Sequence, residues 1–161
     1  MALRIRAMEA GDIPAIARLA KEGFSNTYRF DWESNARSLY DAAAAGRVFV
    51  AVAEWDGQVV GYGNLRAWPA GGWIDQIVVL QAYRRQGVGR ALLEAVIAEA
   101  AVRKFWKVSL ITRADDPVSR PFFERLGWEV VGTMRDEIKK GIDGVLLSRI
   151  VDYRLHPNKI S

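Results

Sequence analysis

The sequence predicts a mixed α/β domain with a mostly antiparallel sheet of about seven strands and about four helices. Three observations carry this prediction. The 161 residues, half of them hydrophobic, suit one domain with its own core. Several short segments alternate apolar and polar residues as strands do, and others repeat apolar residues at helical spacing. We expect one domain over residues 1–155, followed by a tail over 156–161.

The elements follow in the order strand, two helices, three strands, helix, strand, helix and two strands. Alternation over 3–7 predicts the first strand, and Asp12 can cap the next helix, with Pro14 in its first turn. Asp56-Gly57 predicts a tight hairpin turn. The other strands are expected over 48–52, 59–65, 73–80, 107–112, 128–134 and 145–153, and the other helices over 32–45, 87–104 and 119–126.

Composition excludes several kinds of chemistry. The chain has no cysteine, which removes disulfides and any acyl-cysteine intermediate. Its one histidine, His156, leaves no material for a zinc site or a Ser-His-Asp triad, and we interpret it as a solvated tail residue. We therefore expect a protein that uses no metal.

The net charge of +4 and the pI near 9.6 suit an anionic ligand and would also suit nucleic acid. The basic residues are scattered instead of forming a run, so nucleic acid is the less favoured partner. The N-terminal segment lacks the apolar stretch of a signal peptide, and no apolar run approaches the roughly 18 residues of a membrane span. We expect a cytoplasmic protein with no membrane partner.

The segment 84–90 is the strongest local signal for a ligand site. It lies between a predicted strand and a predicted helix, where free backbone N–H groups and the positive end of the helix dipole attract phosphate. A pyrophosphate would be well matched, although a glycine pair alone also occurs in ordinary turns. The residues expected to surround it are Arg84, Arg85, Gln86, Gly87, Val88, Gly89 and Arg90.

The longer stretch 77–93 makes this signal specific. Arg84-x-x-Gly87-x-Gly89 matches the signature Arg/Gln-x-x-Gly-x-Gly/Ala, and here the chain resembles the GNAT family of N-acetyltransferases. It lacks the Gly-Lys-Ser/Thr ending of a P-loop, and Leu92 stands where a dinucleotide fingerprint needs its third glycine. The element order, the Asp-Gly hairpin and a late Phe-Phe-Glu-Arg-Leu-Gly-Trp segment extend the resemblance over nearly the whole chain.

This resemblance implies an enzyme that takes acetyl-CoA as acyl donor and passes the acetyl group directly to a primary amine. It also implies a sheet splayed between its fourth and fifth strands, so that the backbone of Ile77, Val78 and Val79 pairs with the pantetheine arm. The Val79 N–H is the candidate for stabilising negative charge on the thioester oxygen. The alternative is that these are only buried strand residues.

The segment 116–128 resembles the family pattern Asn-x-x-Ala-x-x-Phe-Tyr-Glu-Lys-x-Gly-Phe but departs from it. Phe123 stands at the tyrosine credited with protonating the leaving thiolate, and it has no hydroxyl. Asp116 stands at the asparagine expected to meet the pantetheine amides. Asp116, Ser119, Phe122 and Phe123 are still the expected coenzyme A contacts, in a Phe-Phe variant that resembles a bacterial subgroup. The alternative function is a regulatory module that binds coenzyme A without catalysis.

An amine acceptor must lose a proton, which a carboxylate within reach can accept. Asp75 is the best candidate, because strand alternation would give it the same side-chain face as Ile77 and Val79. Its alternative role is a salt bridge at the start of a strand. Glu22 and Glu33, in the helical region near the N-terminus, are weaker candidates.

Four aromatic residues could line an acceptor pocket, or could serve only in packing: Tyr28, Trp32, Trp68 and Trp73. The sequence does not distinguish a small-molecule amine from a lysine or a protein N-terminus as acceptor, because that specificity depends on loop shape. It also leaves open a homodimer and the use of longer acyl-CoA donors.

Overall fold

Eight strands and four α-helices form in the computed structural model, which describes residues 2–24, 27–28 and 30–158. The strands are β1 (Leu3–Ala7), β2 (Val48–Trp55), β3 (Gln58–Trp68), β4 (Gly71–Trp73), β5 (Ile77–Val79), β6 (Lys107–Arg113), β7 (Glu129–Lys139) and β8 (Ile142–Ile150). The helices are α1 (Ile13–Phe24), α2 (Trp32–Ala44), α3 (Val88–Val102) and α4 (Ser119–Arg125). The predicted mixed, mostly antiparallel α/β fold is confirmed.

The chain forms two compact units, and the first contains the residues up to Arg66 together with Asp75–Glu99. In this unit β2 lies between β1 and β3, and β5 pairs with β3, all in antiparallel fashion. Its core joins the apolar faces of α1 and α2 to β2, β3 and β5. The buried members include Ile16, Leu19, Trp32, Ala36, Val50, Val52, Tyr62 and Val78.

The hairpin between β2 and β3 is the one the sequence predicts. Asp56 and Gly57 have φ angles of 50° and 83°, both in the left-handed region that a two-residue hairpin turn requires. Trp55 pairs with Gln58 directly beside the turn. Local turn chemistry therefore determines how these two strands meet.

Asp12 holds the chain in a different way from the predicted helix cap. It ends a 3₁₀ turn, Ala10–Asp12, directly before α1, and its Oδ2 accepts the Glu9 N–H at 2.7 Å. Arg6 on β1 donates to both oxygens of the same carboxylate, and its Nε donates to Glu54. The carboxylate thus ties β1 to the turn that precedes α1, and the helix itself begins without it.

The second unit contains Ala67–Ile74 and the chain from Ala100 onward. Here β4 runs parallel to β6, and β6, β8 and β7 follow as antiparallel neighbours. Ser109 on β6 lies opposite Ser148 on β8, and their buried hydroxyls are 2.7 Å apart. Each hydroxyl satisfies the other, which removes the cost of burying an unpaired polar group.

Two predicted strand boundaries are wrong. The strand expected over 73–80 is divided into β4 and β5, which raises the number of strands to eight. The last hairpin is longer than predicted at its turn, where Gly141 has a φ of 86°, and Tyr153–Leu155 forms a 3₁₀ turn outside the sheet. The single-domain assignment and the splay stay predictions. Within the described ranges, no helix is both long enough and apolar enough to cross a bilayer.

Candidate active site

The predicted pyrophosphate turn leads into the N-terminus of α3. The first bond into the helix runs from the Ala91 N–H to the Gly87 carbonyl at 3.0 Å, so the N–H groups of Val88, Gly89 and Arg90 precede the helical ladder. Gly87 has a φ of 87°, and a Cβ added there would meet nothing within 4 Å in the described structure. Backbone conformation, not space, is therefore what requires glycine at this point.

The three arginines of this turn differ in what they already bind. Arg84 Nε donates to the Val79 carbonyl at 3.1 Å. Arg90 Nε lies 3.1 Å from Glu94 Oε1, one helical turn further on. Arg85 has a φ of 62°, and no residue in the described part of the chain bonds to its side chain. In the described part of the chain, therefore, Glu94 compensates the charge of Arg90, while no carboxylate compensates the charges of Arg84 and Arg85.

The backbone of β5 presents its groups to two sides. Leu80 N–H donates to the Val60 carbonyl at 2.8 Å. This bond shows which residues of β5 form hydrogen-bonded pairs with β3 and which do not. Because antiparallel partners bond at alternate residues, the N–H and C=O groups of Val78 face β3, and those of Ile77 and Val79 are directed away from it. The Val79 N–H thus has the direction that an oxyanion donor outside the β3–β5 ladder requires.

A β-bulge at Asp75 and Gln76 separates β4 from β5. Both N–H groups donate to Oδ1 of Asn64, at 2.9 and 2.8 Å, and the Asn64 N–H donates to the Gln76 carbonyl at 3.1 Å. Two residues therefore oppose one, and two successive N–H groups point to the same side, which a regular strand does not allow. The buried side chain of Asn64 interrupts the predicted strand at this point.

The bulge also changes the side-chain face of Asp75. Asn64 lies on the same face of the sheet as Val78. The Asp75 carboxylate accepts a hydrogen bond from the Asn64 side chain at 2.9 Å, so it lies on that face as well. The expectation that Asp75 shares a face with Ile77 and Val79 is wrong, because the additional residue in the bulge shifts the alternation by one.

Only one oxygen of the Asp75 carboxylate is occupied. Oδ2 accepts from Asn64 Nδ2 at 2.9 Å and from Arg66 Nε at 2.8 Å, while no described residue bonds to Oδ1. The Asp75 side chain is 36% exposed. The salt bridge considered as its alternative role is present, and one carboxylate oxygen still remains accessible for a proton.

A second group of polar residues lies on the same face, and the sequence analysis did not single it out. The Tyr62 hydroxyl donates to Gln76 Oε1 at 2.6 Å, and Gln76 Nε2 donates to Asn35 on α2 at 3.0 Å. Tyr62 is fully buried, and this burial raises its pKa. The available signal was the spacing of Tyr62 and Asn64, two polar residues on one face of an otherwise apolar strand.

Asp116 and Ser119 lie together in the second unit at the start of α4. Asp116 Oδ2 accepts the Ser119 hydroxyl at 2.6 Å, and its Oδ1 accepts the Val118 N–H at 2.9 Å. Burial alone would raise the pKa of Asp116, but the hydrogen bonds from Ser119 and Val118 outweigh it, so the pKa lies below its usual value. The carboxylate organises the entry to the helix, and the predicted pantetheine contacts of both residues stay predictions.

Phe123 is a core residue. Its ring is 4% exposed and lies 5.2 Å from the Phe122 ring and 5.5 Å from the Trp128 ring, measured between centroids. Phe122 is only half-buried, so of the two it is the one with a surface left for a ligand.

The aromatic residues considered for an acceptor pocket fall into two groups. In the first unit Trp32 is buried in the core, while Tyr28 is 40% exposed and stacks on Phe30, with 5.5 Å between ring centroids. In the second unit the ring centroids of Trp68 and Trp73 are 4.9 Å apart. Packing is therefore the role of Trp32, while Tyr28 and its neighbour Phe30 are both exposed.

The remaining candidates are peripheral. Glu22 and Glu33 are exposed on α1 and α2. His156 is not a solvated tail residue, because it is half-buried with its ring 4.4 Å from the Trp106 ring, and its Nδ1 accepts the Asn158 N–H. Among the residues that the structure describes, no three His, Cys, Asp or Glu side chains form a group that could hold a metal.

Several known proteins resemble this chain in sequence and in fold. Residues 13–128 match the model of the acetyltransferase (GNAT) family. An N-alpha-acetyltransferase from Sulfurisphaera tokodaii is 29% identical, with 90% of this chain and 91% of that protein aligned. The ribosomal-protein-alanine N-acetyltransferase from Brucella melitensis superimposes with a TM-score of 0.79 at 26% identity, covering 91% and 99% of the two chains. The structure of yncA from Salmonella typhimurium with acetyl-CoA gives a TM-score of 0.84 at 20% identity, covering 99% and 100%.

Proposed function

Because the chain belongs to the GNAT family of acetyltransferases, we propose that it transfers an acetyl group from acetyl-CoA directly to a primary amine, without a covalent enzyme intermediate. One observation carries this proposal. A turn with unbonded helix N-terminal N–H groups follows a strand whose Val79 N–H is directed away from its partner strand. The Val79 N–H and the N–H groups of Val88, Gly89 and Arg90 are thus nine to eleven residues apart on one continuous segment.

The turn fits the pyrophosphate of coenzyme A. Val88, Gly89 and Arg90 offer backbone donors at the positive end of α3, and Arg85 adds an uncompensated charge. Arg84 is held at Val79, so it links the anion site to the strand that would run beside the thioester.

The chemistry divides between two residues of the first unit. When bound, acetyl-CoA supplies a thioester carbon that the amine nitrogen attacks, and the carbon–sulfur bond then breaks to release coenzyme A. The Val79 N–H would stabilise the negative charge on the carbonyl oxygen. Asp75 would take the proton from the amine, directly or through water, on its accessible Oδ1. Phe123 has no proton to give, so solvent would protonate the departing thiolate of coenzyme A. For comparison, the thiol of a free cysteine has a pKa of about 8.5.

We propose the α-amine of a protein or peptide N-terminus as acceptor. The names of the two most similar relatives described above, an N-alpha-acetyltransferase and a ribosomal-protein-alanine N-acetyltransferase, support this choice. An α-amine has a pKa of about 7.7–8.0, against about 10.4 for lysine, so a larger fraction is already neutral at pH 7. An amine that is partly neutral needs only a weak base to remove its proton. The exposed Asp75 carboxylate, with one oxygen occupied, would be sufficient for this.

Acetyl transfer to a matched pair of peptides tests the acceptor. One peptide begins with a free alanine and contains no lysine, and the other has the same sequence with a blocked N-terminus and one internal lysine. We expect the thiol of coenzyme A to be released, and a mass increase of one acetyl group, with the first peptide. Faster transfer to the lysine peptide would overturn the α-amine assignment while leaving acetyl transfer intact.

Coenzyme A binding tests the turn itself. We expect coenzyme A to stabilise the protein by about 2.7 kcal/mol at a concentration of 100 times Kd. Gly89→Asp should weaken this binding by about 100-fold through like-charge repulsion, while Lys139→Asp, at an exposed position in the second unit, should not. An aspartate in the first turn of a helix is favourable to folding, so the unliganded Gly89→Asp variant should stay stable. No stabilisation by millimolar coenzyme A would contradict the proposed function.

The absence of a hydroxyl at position 123 favours a second candidate, a module that binds coenzyme A without catalysis. This candidate predicts thermal stabilisation by coenzyme A together with no thiol release in the presence of any amine. The peptide assay and the binding assay, run on the same preparation, separate the two functions.

A further inference from the structure

Asn64 is a buried polar side chain of the first unit's sheet, at 1% exposure, and the proposed chemistry does not use it. All its side-chain bonds go to the bulge. Oδ1 accepts from the N–H groups of Asp75 and Gln76, and Nδ2 donates to Asp75 Oδ2. Asn64 thus uses three of the four hydrogen bonds that an asparagine side chain can make, and two of the three end on Asp75.

These bonds determine where the Asp75 carboxylate lies. Without an acceptor at Asn64, the N–H groups of Asp75 and Gln76 would be unpaired in a partly buried location, and the segment would relax toward a regular strand. A shift of one residue would move the Asp75 side chain to the other face of the sheet. Arg66 alone would not prevent this, because its pair with Asp75 is 41% and 36% exposed and such pairs hold a side chain only weakly.

The bond from Nδ2 adds a second constraint. The Asn64 amide and Arg66 both bind Asp75 Oδ2. Oδ1 is therefore the carboxylate oxygen that has no partner in the described structure. A side chain such as serine could accept the two backbone N–H groups but could not reach both the backbone and the carboxylate in this way.

We propose that Asn64 is a positioning residue for acetyl transfer, which holds Asp75 on the face of the sheet that carries Val78, with one oxygen available to take the proton from the amine. It acts through Asp75 and does not touch the substrates. The proposal rests on the proposed function, in which Asp75 is the proton acceptor.

A double-variant cycle tests this coupling. The rate of acetyl transfer from acetyl-CoA to the peptide with a free N-terminal alanine is measured for the native chain, Asn64→Ala, Asp75→Asn and the double variant. We expect Asn64→Ala to lower kcat by about 30-fold in the native background and by less than about threefold when Asp75 is already asparagine. KM for acetyl-CoA should change by less than about threefold, because the pyrophosphate turn is separate.

Two further variants keep the test decisive. Ser148→Ala removes a buried hydrogen bond of the second unit, so it controls for loss of stability, and its kcat should equal that of the native chain. If Asn64→Ala does not fold, Asn64→Ser takes its place in the cycle, since its hydroxyl can accept from the two N–H groups while the bond from Asn64 to the Asp75 carboxylate is lost.

The outcomes separate the two proposals. Equal losses from Asn64→Ala with and without the Asp75 carboxylate would overturn the positioning role while leaving acetyl transfer established. An unchanged kcat in Asn64→Ala would do the same. No transfer by the native chain would overturn the proposed function, and the role of Asn64 with it.

Discussion

Two arginine–aspartate pairs of the first unit show how the same residue types serve different purposes. Asp12 accepts from Arg6 through both oxygens, at 2.7 and 2.8 Å, and also from the Glu9 N–H, and its side chain is 7% exposed. Asp75 is 36% exposed and receives Arg66 through one oxygen only. Both oxygens of the first carboxylate are bonded and its side chain is buried, whereas the second is more exposed and has one oxygen without a partner in the described structure. The number of oxygens already bonded, more than the presence of a salt bridge, distinguishes a structural carboxylate from one available for chemistry.

The largest effect should come from breaking the saturated pair. Asp12→Asn should lower the free energy of unfolding by about 3 kcal/mol at pH 7, because it removes one of the two carboxylates that pair with the buried Arg6 and leaves only Glu54. Burial alone would raise the pKa of Asp12, but the bonds from Arg6 and Glu9 outweigh it, so the pKa is lowered in the folded state. Its stabilisation is then complete above the unfolded pKa of about 3.9 and is lost as the pH falls through the folded value.

Chemical denaturation of the native and Asp12→Asn proteins at several pH values checks both the size and the sign of this effect. The difference between them should narrow as the pH falls below about 4. A difference that stays constant with pH would show that the Asp12 charge contributes nothing, and the contrast between the two pairs would then have no electrostatic basis.

The exposed pair should behave in the opposite way. Asp75→Asn should change the free energy of unfolding by less than about 1 kcal/mol and should lower kcat for acetyl transfer by about 100-fold, with coenzyme A affinity unchanged. Glu33→Gln, an exposed carboxylate on α2, is the matched control and should keep the native rate. If Glu33→Gln were the slower variant, the proton acceptor would lie on the helix and not in the bulge.

The arginines of the turn extend the same contrast to positive charge. Arg85→Gln should weaken coenzyme A binding by about tenfold, since Arg85 has no partner in the described structure, whereas Arg90→Gln should weaken it less because Glu94 already compensates Arg90. Titration calorimetry at two salt concentrations measures both variants. Equal losses would indicate that only the total charge near α3 matters.

The smallest effect on rate should come from Phe123→Tyr. If solvent protonates the leaving thiolate, restoring a hydroxyl should change kcat by less than about tenfold. The measurement should include coenzyme A affinity and thermal stability, because the ring is packed between Phe122 and Trp128 and a misfit would lower both. A gain of about 100-fold in kcat at constant affinity would favour the catalytically silent module as the natural state.

The parts of the molecule that local chemistry determines were predictable from sequence. The Asp56-Gly57 hairpin and the left-handed Gly87 each depend on the φ angles that their own residues tolerate, and both are present. The alternation of β2 and the helical spacing of α3 likewise follow from burying one face or stripe. The resemblance to the acetyltransferase family rested on one of these local segments, and the family match confirms it.

The bulge could not be predicted, because it depends on a side chain from a neighbouring strand. Nothing in the residues 73–80 themselves signals an interruption, and Asn64 lies about ten residues earlier in the chain. The face of Asp75 and the occupied oxygen of its carboxylate both follow from that long-range contact. For the same reason His156 was wrongly interpreted, since its contact with Trp106 joins residues far apart in sequence.

The bulge at Asp75 and Gln76 has a consequence for how such a chain can evolve. A deletion inside a regular strand turns every later side chain to the opposite face, and selection removes it. A bulge already contains one residue more than its partner strand requires, so losing that residue restores regular pairing. Insertions and deletions can therefore enter a lineage here without refolding the sheet. A deletion that removes Asp75 would shorten the chain and at the same time remove the proposed proton acceptor, so that a change in chain length becomes a change in chemistry.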